Sequence, residues 1–212
     1  MKAIIIGATG ATGKFLVDCL LQDNHYKDVA IFVRKPTGIN HPKLTEHIID
    51  FSAVESYKNL IVGDVLFSCL GTTLQIAGTK ENQWKIDFDI PLKFAQIAKE
   101  NQVKSFVLVS AYGVNPDSKI FYPRMKGELE VQITALDFDQ LIIFRPGALI
   151  RPQSDRAAER FMVAALKGIN KIGLFKRFRP LAVEVLAEKL AKAPKVLSEG
   201  IYIIELDTIF KF

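Results

Sequence analysis

The chain has 212 residues, 49% of them hydrophobic, and a formal net charge of +5 at pH 7. That is enough apolar chain for one full core and too much for a disordered or low-complexity protein. Two cysteines, Cys19 and Cys69, lie inside apolar segments and are too few for a disulfide framework; they have no metal-ligand spacing, and no apolar run reaches membrane-spanning length.

The first predicted strand covers Lys2 to Ile6 and runs directly into Gly7-Ala8-Thr9-Gly10-Ala11-Thr12-Gly13. Because that strand starts almost at once, the sequence leaves no room for a signal peptide and predicts a cytoplasmic location. Behind the glycines, Lys14 to Leu21 carry apolar side chains at helical spacing. A strand turning tightly into a helix aims backbone N–H groups and the positive end of the helix dipole at one spot, which suits a phosphate. Gly7 is expected to make the turn, Gly10 to admit a pyrophosphate, and Gly13 to let helix and strand pack closely.

A second strand is predicted at Val29 to Val33, followed by Arg34-Lys35. An acidic residue at that place would favour NAD through the adenosine ribose, whereas two cations suit the 2′-phosphate of NADP. The third strand, Leu44 to Asp50, places Asp50-Phe51 within reach of an adenine. The fourth spans Asp64 to Leu70. Lys80 to Asn101 has a helical pattern that Pro91 must kink or restart.

The fifth strand, Ser105 to Val109, ends at Ser110, and a helix is expected from Phe121 to Leu136. On that helix Tyr122 and Lys126 stand four residues apart and share a face. A nearby ammonium favours phenolate, so the spacing predicts a tyrosine of lowered pKa working as acid or base. The Ser110 hydroxyl is placed to hydrogen-bond a substrate carbonyl beside it. A sixth strand is predicted at Gln140 to Phe144 and a last one at Ile201 to Ile204. Continuous apolar strands alternating with helices specify an α/β protein, a doubly wound parallel sheet covered on both faces. With no linker or repeat, residues 1–212 form one domain, in which 148–212 is expected to make a small cap at the carboxyl edge of the sheet.

Charge is uneven. Arg151, Arg156, Arg160, Lys167, Lys171, Lys176, Arg177 and Arg179 face only Asp155 and Glu159 in their segment. A solvated face, a surface for an anionic partner and a rim attracting an anionic cofactor all fit it. No helix-turn-helix, finger or stacking motif accompanies it, so nucleic acid is not expected as a partner.

Together, Gly7 to Gly13, Arg34, Ser68-Cys69-Leu70-Gly71-Thr72-Thr73, Val109-Ser110-Ala111, Tyr122 with Lys126, and Phe144-Arg145-Pro146-Gly147 resemble the short-chain dehydrogenase/reductase superfamily, in its atypical branch. The resemblance spans about residues 2–152. It implies a Rossmann-like sheet that binds NADP(H) and an oxidoreductase moving hydride to or from the carbon of a small carbonyl/alcohol substrate. Gly7, Thr9, Gly10, Ala11, Thr12 and Gly13 would hold the pyrophosphate, and Arg34 and Lys35 the 2′-phosphate. Cys69, Leu70, Gly71 and Thr72 would line the cofactor; Pro146 and Gly147 would meet the nicotinamide. Tyr122 would exchange the proton, Ser110 hold the carbonyl oxygen, and Lys126 tune Tyr122 and bind the nicotinamide ribose; no metal is required.

The chain departs from the wider family in two places. Leu70-Gly71-Thr72-Thr73 replaces the usual Asn-Ala-Gly after the fourth strand, and the helical asparagine of many members has no clear equivalent near Lys85-Ile86-Asp87, where Asp87 is the residue that could take its place. An NADPH-binding regulatory or scaffolding protein with little turnover is the alternative function, docking a partner through the basic segment. Monomer and homodimer both fit.

Overall fold

The computed structural model describes residues 1–151 and 176–212. Among these, seven parallel strands form the central sheet: β1 (Lys2–Ile6), β2 (Asp28–Val33), β3 (Leu44–Ile48), β4 (Val65–Ser68), β5 (Ser105–Val109), β6 (Gln140–Arg145) and β9 (Gly200–Glu205). Their order is β3-β2-β1-β4-β5-β6-β9. The chain winds outward from β1 to β3, then returns to place β4 on the other side of β1, with Ile6 level with both Phe32 and Ser68. This reversal opens a crevice beyond the carboxyl ends of β1, β2 and β4, where doubly wound sheets bind ligands.

The apolar strand runs follow from two-sided burial. In β1, Ala3 and Ile5 enter one core and Ile4 and Ile6 the other, all four fully buried. The first core is closed by α1 (Gly13–Gln22) and α6 (Val183–Val196), through Leu16, Leu20, Leu186 and Leu190. The second is closed by α4 (Ile90–Glu100) and α5 (Phe121–Thr134), through Phe94, Ile97, Leu129 and Ile133.

The helical pattern of 80–101 resolves into three pieces. A short α3 (Lys80–Trp84), capped by Thr79, passes into a π-helical turn, Lys85–Asp89, and then into α4. Pro91 lies in the first turn of α4, so the restart predicted there falls at Ile90 and the distortion lies upstream of the proline. The cause is local: proline has no N–H for the carbonyl of Asp87, four residues back. Sequence periodicity missed a 3-10 segment, Phe51–Leu60, and the one-turn α2 (Leu74–Ala77), whose cap is Thr73.

Within the stretch expected to form a cap, β7 (Leu149–Ile150) pairs with β8 (Leu181–Ala182) as a separate parallel ribbon. Helix α6 packs on α1 and β9 extends the main sheet beside β6. A final turn of helix, α7 (Thr208–Lys211), follows. Residues 152–175, which hold most of the basic segment together with Phe161, Met162 and Phe175, lie outside the described residues. No helix among the described residues is long and apolar enough to cross a membrane.

Candidate functional site

The glycine turn has the geometry its spacing predicts. Gly7 sits at φ +80°, and a Cβ there would fall 2.5 Å from the Cys69 carbonyl carbon. A Cβ on Gly13 would lie 2.0 Å from the Gly7 oxygen. Gly10 donates its N–H to that oxygen at 3.0 Å, closing the turn, and Thr12 opens α1. These contacts hold the turn flat against the loop that follows β4.

The crevice is a cleft of ≈ 370 Å³. It brings together Gly7, Thr9, Gly10, Arg34, Phe51, Cys69, Leu70, Gly71 and Thr72 from four separate stretches of sequence. Ala8, Phe32, Val33, Ile76, Ile86 and Ile90 complete the lining, and of these the isoleucines carried no signal in the sequence. Arg34 is the single charged residue among the described lining. Ala11, Thr12, Gly13, Lys35, Asp50, Pro146 and Gly147 are not in the lining. The Asp50 carboxylate accepts from the Ser52 N–H and hydroxyl, both at 2.8 Å, capping the 3-10 segment. Pro146 accepts the Tyr112 N–H at 2.9 Å at the end of β6. Burial pushes the Cys69 thiol up to about 12, so it stays an un-ionised wall of the cleft.

Beyond the cleft, α5 presents Tyr122, Lys126 and Glu130 at successive four-residue steps along one side. Tyr122 is 39% exposed, whereas Lys126 and Glu130 are buried. Ser110, at the end of β5, donates its hydroxyl to the Glu130 carboxylate at 2.5 Å. Arg145, at the end of β6, reaches both Glu130 oxygens through Nε at 3.1 and 3.2 Å and through Nη2. Glu205 lies 3.7 Å from Arg145 and accepts from Arg177 at 2.9 Å. The alternation of Ser110, Glu130, Arg145, Glu205 and Arg177 thus locks the carboxyl ends of β5, β6 and β9 to α5. Removing Arg145 would leave the buried Glu130 without its ion-pair partner. Arg145→Met is therefore expected to destabilise the fold by about 3 kcal/mol or more, read as a fall in the urea midpoint.

Asp87 enters the same region from the π turn and is fully buried. Its Oδ1 accepts the Thr72 N–H at 2.8 Å, and Gln83 donates Nε2 to the Thr72 carbonyl at 3.3 Å. Its Oδ2 is buried without a hydrogen-bond partner. Burial raises the Asp87 carboxyl, and the Lys126 charge opposes that rise. Burial lowers Lys126, opposed by Asp87 and then by Glu130.

Tyr122 departs from the expectation drawn from spacing. Burial of its hydroxyl, and then the Asp87 charge, push it up to about 12, with Arg151 pulling the other way. The i, i+4 lysine fails to lower it because that lysine shares its charge with two buried carboxylates. The hydroxyl at rest is a proton donor.

The chain resembles known proteins along this whole region. The family described as NAD(P)H-binding matches residues 7–159. Protein HTATIP2 of Rattus norvegicus is 35% identical over 153 residues, 70% of this chain and 63% of that protein, so the match spans a little under two thirds of its length. The mitochondrial protein FMP52 of Saccharomyces cerevisiae is 33% identical over 165 residues, 76% of this chain and 71% of that one. Among solved structures, the oxidoreductase ylbE from Lactococcus lactis superposes with a TM-score of 0.70 at 19% identity, covering 97% of this chain and 90% of its own. The Bordetella bronchiseptica enzyme WbmH in complex with NAD+ gives 0.71 at 19% identity, covering 95% and 74%. At such identities the structural likeness concerns the fold.

Proposed function

The chain belongs to the NAD(P)H-binding family, on the atypical short-chain dehydrogenase/reductase branch of HTATIP2 and FMP52, and from that premise we propose that it is an NADP(H)-dependent oxidoreductase of a small carbonyl/alcohol substrate. The observation that carries the proposal is the cleft itself: a glycine turn that excludes a Cβ at Gly7 and Gly13, with Arg34 as its one charged described wall. A phosphate can approach that backbone, and a guanidinium at the end of β2 suits a further phosphate on the adenosine ribose. In this reading the turn from Gly7 to Gly13 holds the pyrophosphate, Arg34 with Lys35 the 2′-phosphate, and Phe51 the adenine. The Cys69 to Thr72 loop lines the dinucleotide, Lys126 binds the nicotinamide ribose, and Pro146 with Gly147 meets the ring.

When bound, the dinucleotide supplies or accepts the hydride. The protein's own residues handle the proton. Tyr122 Oη gives its proton to the carbonyl oxygen as hydride reaches the carbon, and takes it back in the reverse direction. Lys126 supplies positive charge beside the phenol as it ionises. Ser110 has its proton engaged by Glu130, so its oxygen offers lone pairs to a neighbouring hydroxyl.

Calorimetric titration tests the cofactor half. Arg34→Ala is expected to weaken NADPH about 10- to 100-fold while leaving NADH within about threefold, since only the 2′-phosphate contact is lost. Equal losses for both nucleotides would remove the NADP preference. Turnover in a carbonyl screen tests the rest. The regulatory reading is favoured by one feature, the Ser110 proton held by Glu130, and it predicts tight NADPH binding without turnover.

A further inference from the structure

We propose that Asp87 is a positioning residue with two separable tasks: Oδ1 holds the Thr72 turn against the dinucleotide cleft, and the carboxylate is the counter-charge of the buried Lys126 ammonium. The proposal rests on the oxidoreductase reading above and assigns a residue beyond Ser110, Tyr122 and Lys126 to its machinery.

The first task is visible in hydrogen bonds. Thr72 belongs to the cleft lining, and its peptide is held at both ends by one structural unit, N–H by Asp87 and carbonyl by Gln83. Flanking Asp87 on the same π turn and the start of α4, Ile86 and Ile90 wall the cleft directly. A shift of this turn would therefore move the loop and the wall together.

The second task follows from what the first leaves unexplained. An asparagine would give Thr72 the same acceptor without the penalty of burying a charge. The carboxylate is fully buried, and its Oδ2 meets no donor. A buried charge is tolerated when an opposite charge faces it, and the π turn packs against α5, which carries Lys126. Two carboxylates act on that ammonium. Glu130 already has both oxygens engaged, by Ser110 and Arg145. Asp87 is the one with an oxygen to spare. The other charged and titratable groups around this pair are Tyr122 on α5, Arg145 behind Glu130, and Arg151, whose charge acts on Tyr122.

The test separates the tasks with Asp87→Asn and Asp87→Ala in the full chain. Lys126 is followed by the NMR titration of its ε-carbon, assigned by loss of the signal in Lys126→Met, and the loop by hydrogen exchange of the Thr72 amide. Both variants are expected to lower the Lys126 midpoint by about one pH unit or more, because a buried ammonium loses its opposite charge. Only Asp87→Ala is expected to speed Thr72 exchange and weaken NADPH, by about tenfold each, since asparagine keeps the acceptor. Gln83→Leu should loosen the loop and move the lysine midpoint less than Asp87→Asn does, since Gln83 also touches the Asp87 carboxyl but the charge itself remains. An unmoved midpoint in Asp87→Asn overturns the counter-charge. Equal Thr72 exchange in Asp87→Asn and Asp87→Ala overturns the clamp. If the parent chain binds no NADPH, the cofactor reading fails on its own, and the midpoint and exchange rates still decide the role of Asp87.

Discussion

Gly13→Ala is expected to abolish dinucleotide binding and to cost the fold about 2–4 kcal/mol, as overpacking against backbone does. The added Cβ would lie 2.0 Å from the Gly7 oxygen and 2.8 Å from its carbonyl carbon. Neither atom can rotate away. Gly7 cannot yield either, since it abuts the Cys69 and Leu70 backbone so closely that a Cβ on it would lie 2.5–2.7 Å from those atoms. Relief requires α1 to move off β1, which opens the turn and dissolves the N–H cradle. An NADPH dissociation constant at least about 100-fold weaker follows, because both the phosphate contacts and the helix-end field act only at short range. Gly38→Ala is the control: φ is +76° there with nothing within 4 Å, so it carries strain without collision. That substitution should cost about 1–2 kcal/mol and leave NADPH binding unchanged. Urea melts and calorimetry on the two variants read the difference. Wild-type affinity in Gly13→Ala would mean that the turn is not the phosphate site.

What was legible in the sequence was what interacts with its own neighbours in the chain. The run from Ile4 to Gly13 carries its strand, its turn and its helix in consecutive residues, and Arg34 is found by counting one step past β2. The doubly wound parallel sheet follows from such units repeated, whereas the order of its strands came only with the fold. Glu130 was not legible: on α5 it is one charge among several, and its meaning comes from Ser110 and Arg145, which the pairing of β5 with β6 brings beside it. Asp87 depends on a π turn whose cause, Pro91, lies four residues downstream. Asp50 shows a local task that its place after β3 did not reveal: a carboxylate two residues before a free N–H caps the segment that follows. The sign of the Tyr122 shift was misread, because spacing reveals the lysine on the same helix and hides the carboxylate on the neighbouring π turn.

That sign makes the second large prediction. A phenol held near 12 is almost wholly protonated from pH 6 to 9, so Tyr122 is a ready acid and a scarce base. Burial and the Asp87 charge both disfavour the anion, which is why the shift is upward. Carbonyl reduction should then be flat across that range, since the protonated fraction barely changes. Alcohol oxidation should climb about tenfold per pH unit, since only the phenolate fraction can accept the proton. Tyr122→Phe should lower reduction about 10²- to 10⁴-fold, the usual worth of a positioned proton donor, and spare NADPH binding, because Tyr122 is not part of the described cleft lining. The two measurements constrain each other. A reduction profile with a midpoint near neutrality and an active Tyr122→Phe would assign the proton to another group. A neutral midpoint that disappears in Tyr122→Phe would instead place Tyr122 in the step with its hydroxyl lowered by what fills the cleft. A flat profile lost entirely in Tyr122→Phe would assign the proton to Tyr122, kept an acid by its burial and by the Asp87 charge.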